Sequence, residues 1–333
     1  MEEKKMKKVV FILVAVAMIF AVAACGDTGG GGGDGPPKIG IVNLHPSESG
    51  YREANVNDMD RVFNTANGYL VLKANYNTLN EQLDAAQQFI NDGVDYLLLS
   101  AADASGWDSV LNAAKEAGIK VFLFDRMIDA SQDLYEAAVV SDMENQGINA
   151  VNWLKAQNLP EYNFVHIQGQ IGSAAQRGRT EPLDQAIEQN ANWNLVRRGT
   201  GGDTWSADEA KRIVEAAIAA GEDFNIIYAE NDGMAEGAMK ALQEAGISHG
   251  VNGDVMIMGF DFNKFALRYV MEGDWNFNGQ CSPFQADVIH GFIQTLESGG
   301  NLNLTDKIVI NDEIITDHAT ITAAFIDQYG LGD

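Results

Sequence analysis

From Lys38 onward, short apolar runs alternate with stretches in which apolar residues return every three or four positions. The runs read as buried strands and the stretches as amphipathic helices, and their alternation predicts βαβ units around parallel sheets. The first series predicts strands near 38–44, 69–75, 95–100 and 120–124. Between them Thr78-x-x-Glu81 has the spacing of a capping box, opening a helix with Leu83, Ala86 and Ile90 on one face and Gly93 at its end. The next helix buries Trp107, Val110, Leu111 and Ala114 and closes at Gly118, so Trp107 reads as core. A second series predicts strands near 163–168, 194–199, 225–229, 254–260 and 275–280, with helices near 173–190, 206–220, 232–246 and 263–272. The fold class is α/β, with two doubly wound lobes of Rossmann-like parallel sheet. A chain of 333 residues has room for them, since domains run to roughly 100–200 residues each.

The first 37 residues follow another logic. Lys4, Lys5, Lys7 and Lys8 precede the uncharged run Val9 to Ala24, which is short for a spanning helix of about 20 residues and reads as an export signal. The run ends Ala21-Val22-Ala23-Ala24-Cys25, which resembles a bacterial lipobox, so Cys25 is expected to carry lipid as the mature N-terminus. Residues 1–24 are then signal peptide, and 25–37 a lipidated cysteine and flexible tether, because GDTGGGGGDGPP holds no side chain able to join a core. Within it Gly30-x-Gly32-x-x-Gly35 matches a dinucleotide-binding fingerprint in letters only, having neither the preceding strand nor the following helix. With Cys25 acylated, Cys281 is the one cysteine left, and no intrachain disulfide is possible.

Charge narrows the partners. With 47 acidic against 22 basic residues the formal net charge is -25, and without a basic patch such a chain is repelled by nucleic acid. The five histidines show no metal-ligating spacing and there is no calcium-loop pattern, so neither metal nor cofactor is expected. Gly246-Ile247-Ser248-His249-Gly250 fits G-x-S-x-G, but follows a helix and precedes a strand, the reverse of a nucleophile elbow.

In doubly wound sheets, ligands bind beyond the carboxyl ends of the strands. There the sequence places Ser100, Asp125, Arg126, Gln168, Asn231, Asp232, Asp261 and Gln280. Hydroxyl, carboxylate, guanidinium and carboxamide groups gathered at strand ends suit a polyhydroxylated ligand, whose hydroxyls both donate and accept. Taken singly, each of these residues reads more readily as an ordinary helix N-cap, and it is the ensemble that points to a ligand.

These residues carry a resemblance. The chain from 38 to 333 resembles the type I periplasmic sugar-binding proteins of ABC transporters, and looks most like their galactofuranose-binding branch through Ser47-Glu48-Ser49-Gly50-Tyr51-Arg52, Ser105-Gly106-Trp107 and the run Val121 to Asp129. Gln168-Gly169, Glu230-Asn231-Asp232 and Gly259-Phe260-Asp261 are marks of the wider superfamily. The resemblance implies ligand contacts at Glu48, Tyr51, Arg52, Asp125, Arg126, Arg179, Asn231, Asp261 and Gln280. Arg179-Thr180-Glu181-Pro182-Leu183 departs from the family pattern, leaving Arg177 as an alternative to Arg179, and where an aromatic is expected near Asp203 this chain has Thr204-Trp205. It further implies an N-terminal lobe of 38–141 plus 281–310 and a C-terminal lobe of 142–280 plus 311–333, joined by crossings near Ser141-Asp142, Gln280-Cys281 and Ile310-Asn311. The expected function is capture of a monosaccharide by closing lobes and its delivery to an ABC permease, by a monomer held outside the cytoplasm on a lipid anchor. A sensor docking on a chemoreceptor or histidine kinase is the alternative. A secreted glycosidase is disfavoured, because arginines beside the carboxylates should keep them ionised.

Overall fold

The computed structural model describes residues 35–304, 307–310 and 314–332. The segment expected to be an export signal, Cys25 and the glycine run through 34 lie outside the described residues. The rest forms two α/β lobes, each built on a six-stranded sheet.

In the first lobe β1 (Lys38–Asn43), β2 (Leu70–Asn75), β3 (Tyr96–Leu99), β4 (Lys120–Asp125) and β5 (Ala137–Val140) are joined by β11 (Ile308–Ile310), all parallel, in the order β11-β5-β4-β3-β1-β2. Strand residues alternate between two cores, as a parallel sheet covered on both faces requires. Leu97, Leu99, Val121 and Leu123 pack on one face under α2 (Leu79–Asn91) and α3 (Asp108–Glu116). Tyr96, Leu98, Phe122 and Phe124 pack on the other, under α1 (Gly50–Val62) and α9 (Ala286–Glu297).

The second lobe repeats the plan with β6 (Tyr162–Gln168), β7 (Trp193–Thr200), β8 (Ile226–Ala229), β9 (Met256–Phe260), β10 (Phe277–Gly279) and β12 (Ile315–Asp317). Their order is β12-β10-β9-β8-β6-β7, with only β12 antiparallel. Helices α4 (Met143–Ala156) and α5 (Ala174–Gln189) cover one face. The other lies under α6 (Ala207–Ala219), α7 (Asp232–Ala245), α8 (Lys264–Glu272) and α10 (Ala323–Tyr329). The chain passes between the sheets from β5 to α4, from β10 to α9, and from β11 to β12, the last passage including residues 311–313 outside the described set.

Three local expectations need correction. Thr78 does not cap α2 with its side chain; its hydroxyl instead donates to Glu81 Oε2 at 2.6 Å, so the reciprocal box is not made. The deepest residues of α2 are Gln82, Ala86 and Phe89, with Leu83 and Ile90 on the flanks, because Gln82 is drawn inward to bond the Asn43 and Ser100 carbonyls and the Ala102 amide. The sequence reading also omits α1, β5, α4, α9, β11, β12 and α10. Trp107 is core as expected, 2% exposed, its Nε1 donating to the Asp103 carbonyl.

Candidate functional site

The carboxyl ends of both sheets meet at a narrow cleft. From the first lobe it is lined by Glu48, Ser49, Tyr51, Asp125 and Arg126. Facing them are Met143, Ala175, Arg179, Trp205, Asn231, Asp261 and Cys281.

Asp125 ends β4 in left-handed backbone, φ 69°. A non-glycine residue there is strained, and such strain is held only where the surroundings over-determine it. Here they do. Fully buried, Asp125 accepts from Tyr51 Oη at 2.7 Å, Ser100 Oγ at 2.8 Å, Arg52 Nη2 at 2.5 Å and Arg126 Nε at 3.1 Å. Burial alone would raise its pKa, but the two guanidinium groups outweigh burial and hold the carboxyl well below the usual range. Burial, with Asp125 alongside, pushes the Tyr51 hydroxyl up, so it stays a donor.

Glu48 sits in a short turn at Pro46–Glu48, its Oε2 accepting from Ser49 Oγ at 2.9 Å. It lies 3.5 Å from Arg52 Nε and 3.6 Å from Arg126 Nη2. Glu48 Oε1 and Arg126 Nη1 are buried with no hydrogen-bond partner among the described residues. One acceptor and one donor thus face the cleft ready for an added hydroxyl, which can serve both.

The opposite wall is built around Arg179. Its Nε donates to Gln146 Oε1 at 2.8 Å, its Nη1 to the Glu230 carbonyl and its Nη2 to Asp261 Oδ1 at 3.0 Å, while the guanidinium lies over the Phe260 ring at 4.8 Å. Asp261, like its counterpart Asp125, follows an apolar strand and has positive φ, 110°. Its pKa moves the other way. Burial is the larger effect, Arg179 only partly offsets it, and Glu48 and Asp125 add repulsion, so Asp261 is pushed up to about 6. The arginines beside Asp125 thus outweigh its burial, whereas the single arginine beside Asp261 does not. Behind it Asp232 is also pushed up by burial and by Asp261, while accepting from Asn263 N, Asn263 Nδ2 and Asn278 Nδ2.

Arg52 and Gln280 do not line the cleft. Arg52 is 0% exposed and lies behind Asp125, where Asn43, Asn55 and Ser100 take its Nη1. Gln280 turns to the hinge passages, its amide donating to the Ile314 carbonyl at 2.9 Å and its Oε1 accepting from Ile314 N at 3.3 Å. Asn231 lines the cleft but its Oδ1 caps α7 through the Met234 amide, so the capping and lining roles coexist. Arg177, the alternative to Arg179, lies at the rim, half-exposed, and forms a double hydrogen bond across the lobes to Asp129 at 3.2 and 3.3 Å. Two more links cross beside it, Gln170 Nε2 to the Asn77 carbonyl and Ala104 N to the Gly172 carbonyl. At the hinge side α1 meets the turn before α8 so closely that a Cβ at Gly50 would lie 2.3 Å from Asn263 Oδ1. Ser49, Met143, Ala175 and Cys281 escaped sequence reading; Cys281 alone gave a signal, standing at a predicted crossing.

A cleft at the strand ends of two hinged α/β lobes, closed around charged donors and acceptors, defines a ligand trap. The chain belongs to the periplasmic binding protein family, whose domain model matches residues 39–288. It is similar to the galactofuranose-binding protein YtfQ of Escherichia coli K12, 30% identical over 261 residues that cover 77% of this chain and 81% of that protein. It is also 30% identical over 290 residues to the fructose import binding protein FruE of Bifidobacterium longum NCC 2705, covering 84% and 86%. The crystal structure of a galactofuranose binding protein superposes with a TM-score of 0.80 at 27% identity, covering 88% of this chain and 98% of that one. This chain is an extracytoplasmic sugar-binding protein of the ABC importer class, and not an enzyme.

Proposed function

We propose that the cleft captures galactofuranose or a related hexose, and that closure of the two lobes around it presents the loaded form to the permease. The observation that carries this is the cleft's lining: charged donors and acceptors from both lobes converge on one space, with Glu48 Oε1 and Arg126 Nη1 left to meet a ligand. Glu48, Tyr51, Asp125, Arg126, Arg179, Asn231 and Asp261 touch the sugar in this reading, and Arg52 acts through Asp125. Gln280 serves the hinge between lobes of 38–141 plus 281–310 and 142–280 plus 311–333. The galactofuranose and fructose named for the relatives support a hexose.

Titration of the folded protein with D-galactose, D-fructose and L-arabinose, after unfolding and refolding to strip carried-over ligand, tests the reading. At least one should bind, compact the protein in small-angle scattering and raise its melting temperature by mass action. No binding by any of the three would sink the proposal. Identical scattering with and without a bound sugar would remove the closure.

The proposal includes a monomer tethered by lipid at Cys25, supported by the lipobox-like run and the glycine-rich stretch after it. Cys25→Ser should leave sugar affinity unchanged and abolish metabolic labelling with radioactive palmitate. Persistent labelling would refute the anchor.

A further inference from the structure

Two motifs, Gln168-Gly169 and Glu230-Asn231-Asp232, converge behind one wall of the cleft. Glu230 is fully buried; its Oε2 accepts from the Gly169 amide at 2.8 Å, and its Oε1 accepts from His166 Nε2 at 2.9 Å and from the Thr180 hydroxyl. His166 donates there from Nε2 because its Nδ1 accepts from Arg198 Nε at 3.1 Å. This network pins the backbone at 169, and the six-membered ring of Trp205 lies directly against it. A Cβ at Gly169 would fall 2.0, 2.2 and 2.3 Å from Cζ3, Cη2 and Cε3 of Trp205, so only glycine admits the ring.

The face of the six-membered ring rests on Gly169, which fixes the plane of the indole, and the side chain lines the cleft. Trp205 is 5% exposed and held in left-handed backbone, φ 49°. Its Nε1 is buried and has no hydrogen-bond partner among the described residues. Buried indole N–H groups nearly always find an acceptor, since an unpaired donor forfeits its hydration for nothing. Around the cleft, the carboxylates of Asp125 and Asp261 are engaged by Tyr51, Ser100 and three arginines, and Glu48 Oε1, which has no hydrogen-bond partner among the described residues, lies 3.6 Å from the Arg126 guanidinium in the opposite wall from Trp205. An oxygen of the ligand is the acceptor this geometry calls for.

We propose that Trp205 determines specificity by donating its indole N–H to one oxygen of the sugar, and that Gly169, pinned by Glu230, is the positioning residue that aims it. The inference rests on the sugar reading of the cleft and adds a selective contact to it. A site built to hydrogen-bond one ligand oxygen rejects analogues lacking it far more strongly than a merely apolar wall would.

The test is titration of wild type, Trp205→Phe and Gly169→Ala with whichever of D-galactose, D-fructose and L-arabinose binds, and with its monodeoxy derivatives. Indole ¹H–¹⁵N spectra accompany the titrations. Trp205→Phe keeps an aromatic ring and removes the donor, so affinity should fall roughly fivefold to a hundredfold. One monodeoxy derivative should bind wild type and Trp205→Phe alike, and the one indole resonance missing from Trp205→Phe should shift when wild type is saturated. Gly169→Ala should weaken binding although Trp205 is present, and should move that same resonance before sugar is added. Should Gly169→Ala not fold, Trp205→Phe decides alone. Undiminished affinity in Trp205→Phe, or an equal loss for every deoxy derivative, overturns the indole contact while leaving sugar binding intact. If wild type binds none of the three sugars, the sugar reading fails first and this inference with it.

Discussion

Asp125→Asn should cost at least tenfold in sugar affinity, and Asp125→Ala should in addition destabilise the fold by about 3 to 5 kcal/mol. The reason is the company Asp125 keeps. Removing its charge leaves Arg52 and Arg126, both buried, to share the one Glu48 carboxylate at 3.5 and 3.6 Å, and an under-compensated buried charge costs far more than a lost surface pair. Asparagine keeps the shape and tolerates the left-handed backbone at φ 69°, whereas alanine there adds strain of about 1 to 2 kcal/mol. Comparing the two therefore separates charge from fold. Losses from Asp125→Ala and Arg126→Ala should not add, because the two groups share one hydrogen bond at 3.1 Å. Calorimetric titration of the folded variants, with chemical denaturation alongside, reads both quantities. Unchanged affinity in Asp125→Asn would remove Asp125 from the ligand site.

Arg179→Met should raise the pH at which sugar affinity is half-maximal and destabilise the protein, again by about 3 to 5 kcal/mol. In the intact protein burial pushes the Asp261 carboxyl up to about 6, so over the range between its ordinary value and there the folded state holds a proton that the unfolded state releases. Stability from this group is greatest below about pH 4, falls as pH rises toward 6, and levels off above it with the buried charge as a penalty. The free energy of Asp261→Asn relative to wild type should accordingly move in the variant's favour between pH 4 and pH 7. A sugar hydroxyl donating to Asp261 favours the ionised form, so affinity should rise with pH across 5 to 7 and binding should release a proton. Without the guanidinium at 3.0 Å, the Asp261 carboxyl should ionise later still and carry the affinity profile with it. Affinity independent of pH from 5 to 7 in wild type would exclude an ionised Asp261 as a sugar acceptor.

How much of this was legible in the sequence depends on what each element buries. Strands β3, β4, β8 and β9 are uninterrupted apolar runs because both their faces are covered, and a run of that kind cannot be mistaken for an exposed helix. Helices α2, α3, α6, α7 and α8 present an apolar stripe to a sheet and were read from it. Helix α1 has no such stripe. Its first two turns point Arg52, Asn55 and Asp58 inward, so the residues that organise the site erase the periodicity that would reveal the helix. Strand β5, Ala-Ala-Val-Val, is too short and small to stand out. In the cleft, position at a strand end sufficed for Asp125, Arg126, Asn231 and Asp261. It could not tell Arg52 from Arg126, since both carry the same group to the same carboxylate and only depth separates them. Gln280 likewise stands at a strand end but is claimed by a segment 34 residues further along the chain. No spacing encodes that.

The double hydrogen bond from Arg177 to Asp129 has a bearing on time rather than on recognition. It joins the lobes at their rim, out of reach of the cleft, and both side chains remain about half in water. A sugar enclosed below it leaves only when the rim parts, so the dwell time of the trapped molecule includes the lifetime of this latch as well as the strength of its own contacts. Because exposed ion pairs are weak and screened by salt, the latch adds little to the closed state and yields easily. That suits a carrier, which must surrender its cargo as readily as it collects it.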